Sequence, residues 1–252
     1  MNKHNKTMIY IVNAVVAICI LFLPTSLVYA EDVDLSGRTE QDMKRDPRSK
    51  PVEIINFSGV KSGDKVLDLL GGGGYYTELL SRVVGDNGHV VLQIPQAYVK
   101  FAGKALEQRL ANERLKNVTY LLSEVSDLKL GTEKYDSVFL VLGYHDMVYL
   151  DEGWDFTVDN AIPQVLESLK LGGTLLVVDH DTTVGNGIKD AKTLHRIESA
   201  FTKADLEKRG FRFIKQTDVL VNKNDDHSLS VFDKKIRRKT DRFVMLFEKA
   251  AE

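Results

Sequence analysis

KVLDLLGGGGYYTELL, residues 65–80, decides the fold. KVLDLL (65–70) is a short and nearly continuous apolar run, as a strand buried on both faces requires. GGGG (71–74) follows without a spacer, and YYTELLSRVV (75–84) carries its apolar residues at helical spacing. Strand, glycine turn and helix in that order let backbone approach a ligand closely. The free N–H groups at the helix start then face that ligand. A glycine turn also serves plain dinucleotide binding or tight packing, so the flanking chain must support the reading.

It does. Downstream, GDNG (85–88) is a turn, HVVLQI (89–94) a second strand, 96–115 a helix, and NVTYLLS (117–123) a third strand. YDSVFLVLG (135–143) is a fourth strand, FTVDNAIPQVLESLK (156–170) a helix ended by LGG (171–173), and TLLVVD (174–179) a fifth strand. LHRIESAFTKADLEKRG (194–210) is mostly helical. FRFIKQTDVLV (211–221) and DRFVMLFEKA (241–250) are strands with no helix between them. Upstream, PVEIINFSGV (51–60) predicts a helix with Pro51 in its first turn. Alternating strands and helices imply an α/β fold, a doubly wound, mostly parallel sheet covered on both faces; the last pair implies an antiparallel finish.

The N-terminus reads as a targeting segment. Lys3 and Lys6 precede an apolar stretch from Met8 to Leu23, Pro24 breaks it, and Val28-Tyr29-Ala30 suits a cleavage site. Residues 1–30 are therefore expected to be a secretory signal peptide, 31–45 a flexible lead-in and 46–252 one domain. The expected location is outside the cytoplasm, periplasmic or secreted. The alternative is an uncleaved membrane anchor, for which the apolar core is short. Any membrane contact is expected only through that segment.

Charges nearly cancel, 34 Lys+Arg against 36 Asp+Glu, which argues against a general nucleic-acid binder. The single cysteine, Cys19, lies in the signal segment, so disulfides and Cys-rich metal sites are excluded.

The stretches RDPRSKPVEIINFSGVKSGDKVLDLLGGGGYYTELL, GYHD, VVDH, TLHRI and IRRKTDRFV resemble the class I S-adenosylmethionine-dependent methyltransferases, and more narrowly a subgroup of secreted bacterial members. The resemblance spans roughly residues 50–250 and implies a seven-stranded Rossmann-like sheet, order 3-2-1-4-5-7-6, with the last strand antiparallel. It implies S-adenosylmethionine as cofactor, held by Asp68 and by Gly72, Gly73 and Gly74, with Leu70 standing where the family's first glycine would be. It places Tyr75 beside the ligand or in helix packing. Gln93 stands at the end of the second strand, where the family grips the ribose with an acid. Glu124 matches the acid that faces the adenine amino group, or else is a solvated loop carboxylate.

The candidate chemistry follows strands four and five, which that order makes neighbours, about 4.8 Å apart. Strand four ends in His145 and Asp146, strand five in His180 and Asp181. His195 and Arg196 are placed above them. Methyl transfer needs an acceptor held in line and often stripped of a proton. His145 is the expected base, oriented by Asp146 or Asp181. The bland alternative is that these groups cap loops. The functional alternative is a binding or metal-dependent protein reusing the fold, with the His/Asp cluster as its site. No ligand spacing such as HExxH supports a metal, and none is expected. Trp154 either lids the pocket or packs. KKIRRK (234–239) reads as a solvated loop neutralised by Asp225, Asp226, Asp233 and Asp241, or as an attractor of anions. The reaction expected is methyl transfer to a small-molecule acceptor.

Overall fold

The computed structural model describes residues 33–250. The expected signal segment and cleavage site, with Cys19, lie outside the described residues. In order, the chain forms α1 (Glu40–Ser49), α2 (Pro51–Ser58), β1 (Lys65–Leu69), α3 (Tyr75–Val84), β2 (His89–Ile94), α4 (Gln96–Leu110), β3 (Val118–Leu122) and β4 (Tyr135–Val141). Then come α5 (Val158–Ser168), β5 (Leu169–His180), α6 (Ala191–Leu194), α7 (Ser199–Lys208), β6 (Phe211–Thr217) and β7 (Arg242–Lys249). Among the described residues, no helix is long and apolar enough to cross a membrane.

The seven strands form one sheet in the order β3-β2-β1-β4-β5-β7-β6. β1, β2, β3, β4 and β5 pair in parallel, and β7 runs antiparallel to both β5 and β6. The architecture expected from the alternation of elements is the one observed.

Strand side chains alternate between two cores, as the pleat requires. Leu67, Leu69, Val138, Leu140, Leu175 and Val177 bury one face against Ala161, Ile162 and Val165 of α5 and Leu206 of α7. Val66, Phe139, Leu176 and Val178 bury the other against Ile54 and Ile55 of α2 and Leu79 and Leu80 of α3. Each fully buried Leu or Ile contributes about 1.5–3 kcal/mol, so this double layer fixes the strand ends that carry the site.

One element departs from the expectation. The last part of the presumed lead-in, from Glu40 onward, belongs to helix α1. Its sequence EQDMKRDPRS has no apolar stripe, so hydrophobic periodicity could not reveal it. Polar contacts hold it instead. Thr39 caps it by accepting from the Asp42 amide, Asp42 pairs with Arg109 at 3.0 Å, and Arg38 pairs with Asp46. The Tyr75 hydroxyl donates to Asp46 at 2.6 Å, and the Arg45 guanidinium lies 4.0 Å from the Tyr75 ring centre. These bonds fasten α1 above the glycine turn. Two bounds also differ: α5 ends at Ser168, so residues 171–173, expected to end that helix, lie inside β5, and α7 starts at Ser199 after a separate turn of helix at Ala191–Leu194.

Candidate active site

The turn between β1 and α3 starts in strained backbone. Leu70 has φ 54°, in the left-handed region that glycine occupies freely. It stays there because its side chain is buried in the core. Gly72 follows at φ 55°, and a Cβ at that position would meet nothing within 4 Å. At Gly71 a Cβ would strike Leu92 at 2.3 Å and Asp68 at 2.7 Å. Gly71 is thus required by space, and Gly72 by conformation and by the opening it leaves.

That opening is a cleft of about 1240 Å³. The turn, Asp68, Tyr75, Phe101 and Arg109 line it, together with Tyr98, His145, Asp146, His180, His195 and Trp154. Asp68 is buried, accepts from the Thr77 hydroxyl at 2.6 Å, and has its pKa pushed up to about 6 by that burial. Arg109 was not foreseen as a site residue. Its Nε donates to the Gly73 carbonyl at 2.7 Å, and its guanidinium pairs with Asp42 and Glu78. It ties the turn to α1 and α3. Glu78 is fully buried yet ionised, because Arg114, Arg109 and Arg82 surround it. Burial works against its charge, but hydrogen bonds from Arg114 and the Arg109 charge hold it down at about 2.

Two expected cofactor contacts point elsewhere. The Gln93 side chain is fully buried; its Oε1 accepts from the Leu70 amide at 3.3 Å and its Nε2 donates to the Ser123 carbonyl at 2.9 Å. It braces β1 against the end of β3 and does not line the cleft. Glu124 caps α4, accepting from the Gln96 amide at 2.9 Å. In both cases an unpaired backbone group nearby claims the side chain, as buried or helix-starting amides do. Tyr75 lines the cleft but is pinned by Asp46 and packed edge-on against Tyr76 at 5.1 Å.

Beyond the ends of β4 and β5, the structure brings His145 and Asp146 together and leaves Asp181 out. Asp181 accepts from the Thr182 and Ser199 amides at 2.9 and 3.0 Å, so it is a loop cap and starts α7. The residue that orients His145 is Asp179. Its Oδ1 lies 2.7 Å from His145 Nδ1, and its Oδ2 accepts from the His145 amide at 2.9 Å. Asp179 was legible as the acid ending an apolar strand beside one ending in histidine, but its neighbour Asp181 looked equivalent. Burial disfavours charge on His145, yet the Asp179 charge and hydrogen bonds to Asp146 and Asp179 outweigh it and raise its pKa.

His145 Nε2 sits 3.2 Å from Asp146 Oδ1 and 3.3 Å from His195 Nδ1. His195 Nδ1 is 3.4 Å from the same Asp146 oxygen. His195 has φ 54°, so with Leu70 and Leu142 it is one of three non-glycine residues of the cleft lining in left-handed backbone. His180 stands 6.0 Å from the His145 ring and bonds to Thr240 through Nδ1, and burial, with the neighbouring His145, pushes its pKa down. Arg196 does not join the cluster; it is buried in a two-pronged pair with Asp225. Trp154 both packs and lines the cleft: it stacks on Tyr98 at 5.5 Å and donates to the Asp146 carbonyl at 2.6 Å. The 234–239 run is mostly solvent-exposed. Two of its expected partners are taken, Asp225 by Arg196 and Asp241 by His227.

A seven-stranded sheet in this order, with a glycine turn at the end of β1 opening on a cleft, defines the S-adenosylmethionine-dependent methyltransferase class. The chain belongs to the ubiE/COQ5 methyltransferase family, whose model matches residues 47–197. It is 32% identical over 139 residues to a ubiquinone/menaquinone biosynthesis C-methyltransferase UbiE of Pseudomonas aeruginosa, covering 54% of this chain and 50% of that protein. The corresponding protein of Legionella pneumophila is 33% identical over 136 residues, with the same coverage of each chain. The chain thus spans about half the length of the curated relatives it matches. An Aquifex aeolicus SAM-dependent methyltransferase superposes with TM-score 0.59 at 18% identity, covering 83% of this chain and 97% of that one. The cyclase SpnF superposes with TM-score 0.56 at 14% identity, covering 88% and 85%. These two likenesses show the fold, and a fold hosts more than one chemistry.

The residues present fit S-adenosylmethionine. Gly72 leaves the space a close backbone approach needs, and among the described backbone hydrogen bonds the Gly72 and Gly73 amides have no acceptor. Those amides and the Asp68 carboxylate suit an amino-acid end, and Tyr98 and Phe101 supply apolar faces for a base.

Proposed function

We propose that this protein is an exported enzyme that transfers a methyl group from S-adenosylmethionine to a small aromatic acceptor. One observation carries the reading: a single cleft is lined both by the glycine turn and by the His145–Asp146–His195 cluster, with aromatic residues in the same lining. Bound cofactor supplies an electrophilic methyl on a sulfonium centre. The turn and Asp68 hold it and keep its approach fixed. Phe232, 61% exposed and part of the cleft lining, offers an acceptor ring an aromatic surface, while Trp154 is already stacked between Tyr98 and Phe156 and only walls the cleft. The relatives are named C-methyltransferases of ubiquinone/menaquinone biosynthesis, and the proposal of a ring acceptor for this chain leans on that likeness. Asp179 locks His145 in one tautomer and orientation, so the cluster presents a fixed set of polar atoms to the acceptor. Orienting the acceptor and removing its proton fall to that cluster. Export rests on residues 1–30 and separates the protein from the cytoplasmic cofactor pool.

The test is calorimetric titration of the full chain with S-adenosylmethionine and S-adenosylhomocysteine. Micromolar affinity, about −8 kcal/mol, supports the reading, and absence of binding overturns it. Sequencing the mature N-terminus tests export: the expected first residue is Glu31. A second reading is a binding protein that keeps the fold without transfer. It is favoured by the diversion of Gln93 and Glu124 from the cleft, and cofactor binding without turnover on any aromatic acceptor would support it.

A further inference from the structure

We propose that His145, Asp146 and His195 form a binding site for one divalent first-row transition-metal ion, Zn2+ foremost. The inference rests on these side chains and their supports alone, and it stands or falls separately from methyl transfer. The ligand atoms are His145 Nε2, Asp146 Oδ1 and His195 Nδ1, at mutual separations of 3.2, 3.3 and 3.4 Å. With ligand distances of about 2.1 Å, such a triangle places an ion about 0.9 Å off its plane and subtends roughly 100–108° at it. Those angles approach the tetrahedral value that Zn2+ adopts. Two imidazoles and one carboxylate with a fourth position open is the pattern of catalytic rather than structural zinc.

The surroundings have the form that metal ligands require. A metal-bound imidazole gives its other N–H to a carboxylate or carbonyl, and ligating carboxylates are themselves hydrogen-bonded. His145 Nδ1 lies 2.7 Å from the fully buried Asp179, which leaves Nε2 to face the triangle. Asp146 accepts from the Tyr149 hydroxyl at 2.9 Å and from the Tyr98 hydroxyl at 3.2 Å. Without an ion, two imidazole nitrogens converge on one carboxylate oxygen, and His195 is held in left-handed backbone to do so. An observed outlier of this kind at a cleft argues for function.

All three ligands line the cleft, so the fourth position opens onto it. It would hold water or an anionic oxygen or sulfur of a ligand. Coordination of a hydroxyl or thiol there releases its proton to solvent, because the ion's charge lowers the group's pKa.

The test uses the full chain, stripped by chelation and dialysed, and titrated with ZnCl2 by calorimetry. Co2+ serves as a visible-absorption probe of geometry. One Zn2+ per chain is expected, together with the intense visible bands of tetrahedral Co2+. His195→Ala and, as the milder variant, His195→Gln are expected to weaken Zn2+ at least tenfold. Asp179→Asn, which leaves every ligand in place, is expected to weaken it 10- to 100-fold. His227→Ala, which alters the separate pair with Asp241, is expected to leave it unchanged. Failure of the folded full chain to take up stoichiometric Zn2+, Mn2+ or Fe2+ overturns the proposal. So does uptake that both His195 variants leave unaffected. The cofactor titration is run on separate samples, so either reading can fail alone.

Discussion

Replacing Gly72 with alanine separates the turn's structural duty from its binding duty. The added Cβ meets no protein atom within 4 Å, so packing does not oppose it. The cost to folding is the left-handed φ of 55°, about 1–2 kcal/mol for a residue with a side chain. At this chain length that corresponds to a fall of about 2–8 °C in Tm. The Cβ instead occupies the opening through which a ligand reaches the turn. Affinity for S-adenosylhomocysteine should drop at least tenfold, which is a loss of about 1.4 kcal/mol. Gly71→Ala is the contrast, because its Cβ would lie 2.3 Å from Leu92 and 2.7 Å from Asp68. Overpacking of that kind costs about 1–3 kcal/mol or more and displaces the Asp68 carboxylate. Thermal melts and calorimetric titration of the two variants beside the parent check both claims. If Gly72→Ala melts lower as expected yet binds S-adenosylhomocysteine with unchanged Kd, the turn is not the cofactor cradle.

Other outcomes follow from the buried charges. Glu78 is held at about 2 in the folded chain against 4.5 ordinarily, so its contribution is complete above pH 4.5 and disappears as pH falls toward 2. About 3 kcal/mol of stability should be lost across that window, and Glu78→Gln should flatten it in urea titrations at stepped pH. Asp68 has the opposite sign. Burial raises it from 3.8 to about 6, so stability should fall by up to about 3 kcal/mol as pH rises from 4 to 6. Asp68→Asn should remove that slope and raise stability at pH 8 while weakening cofactor binding; a variant that is less stable at pH 8 counts against the burial argument. Asp181→Ala should cost about 1–2 kcal/mol as a lost cap and leave Kd for S-adenosylhomocysteine unchanged, since its carboxylate is taken by the Ser199 and Thr182 amides.

The order of elements was legible because each signal is local. An apolar run such as KVLDLL, a following GGGG and a helical YYTELLSRVV encode strand, turn and helix through nearest neighbours alone. Their alternation then leaves few topologies, and the non-helical link between β6 and β7 selects the antiparallel finish seen in the sheet. Leu70 was also legible as the residue in a glycine's place, and its φ of 54° bears that out. Helix α1 was not, because ion pairs with Arg109 and the Tyr75 hydroxyl hold it, and neither leaves a periodic trace.

By itself, then, the sequence determined the fold class, the place of the glycine turn, and the gathering of His145, Asp146 and His180 at one end of the sheet. Tertiary structure alone decided which partners those groups took. Asp179, rather than Asp181, meets His145 because β4 and β5 pair in a register that brings residues 34 positions apart within 2.7 Å. Gln93 and Glu124 turn from the cleft because the Leu70 and Gln96 amides lie nearer to hand. His195 enters the cluster through a loop whose course depends on contacts far along the chain, including the Val231 amide bonded to the Leu194 carbonyl. Side-chain hydrogen bonds form between whatever groups folding brings close, and closeness across a sheet is set by register and loop path rather than by neighbours in the chain.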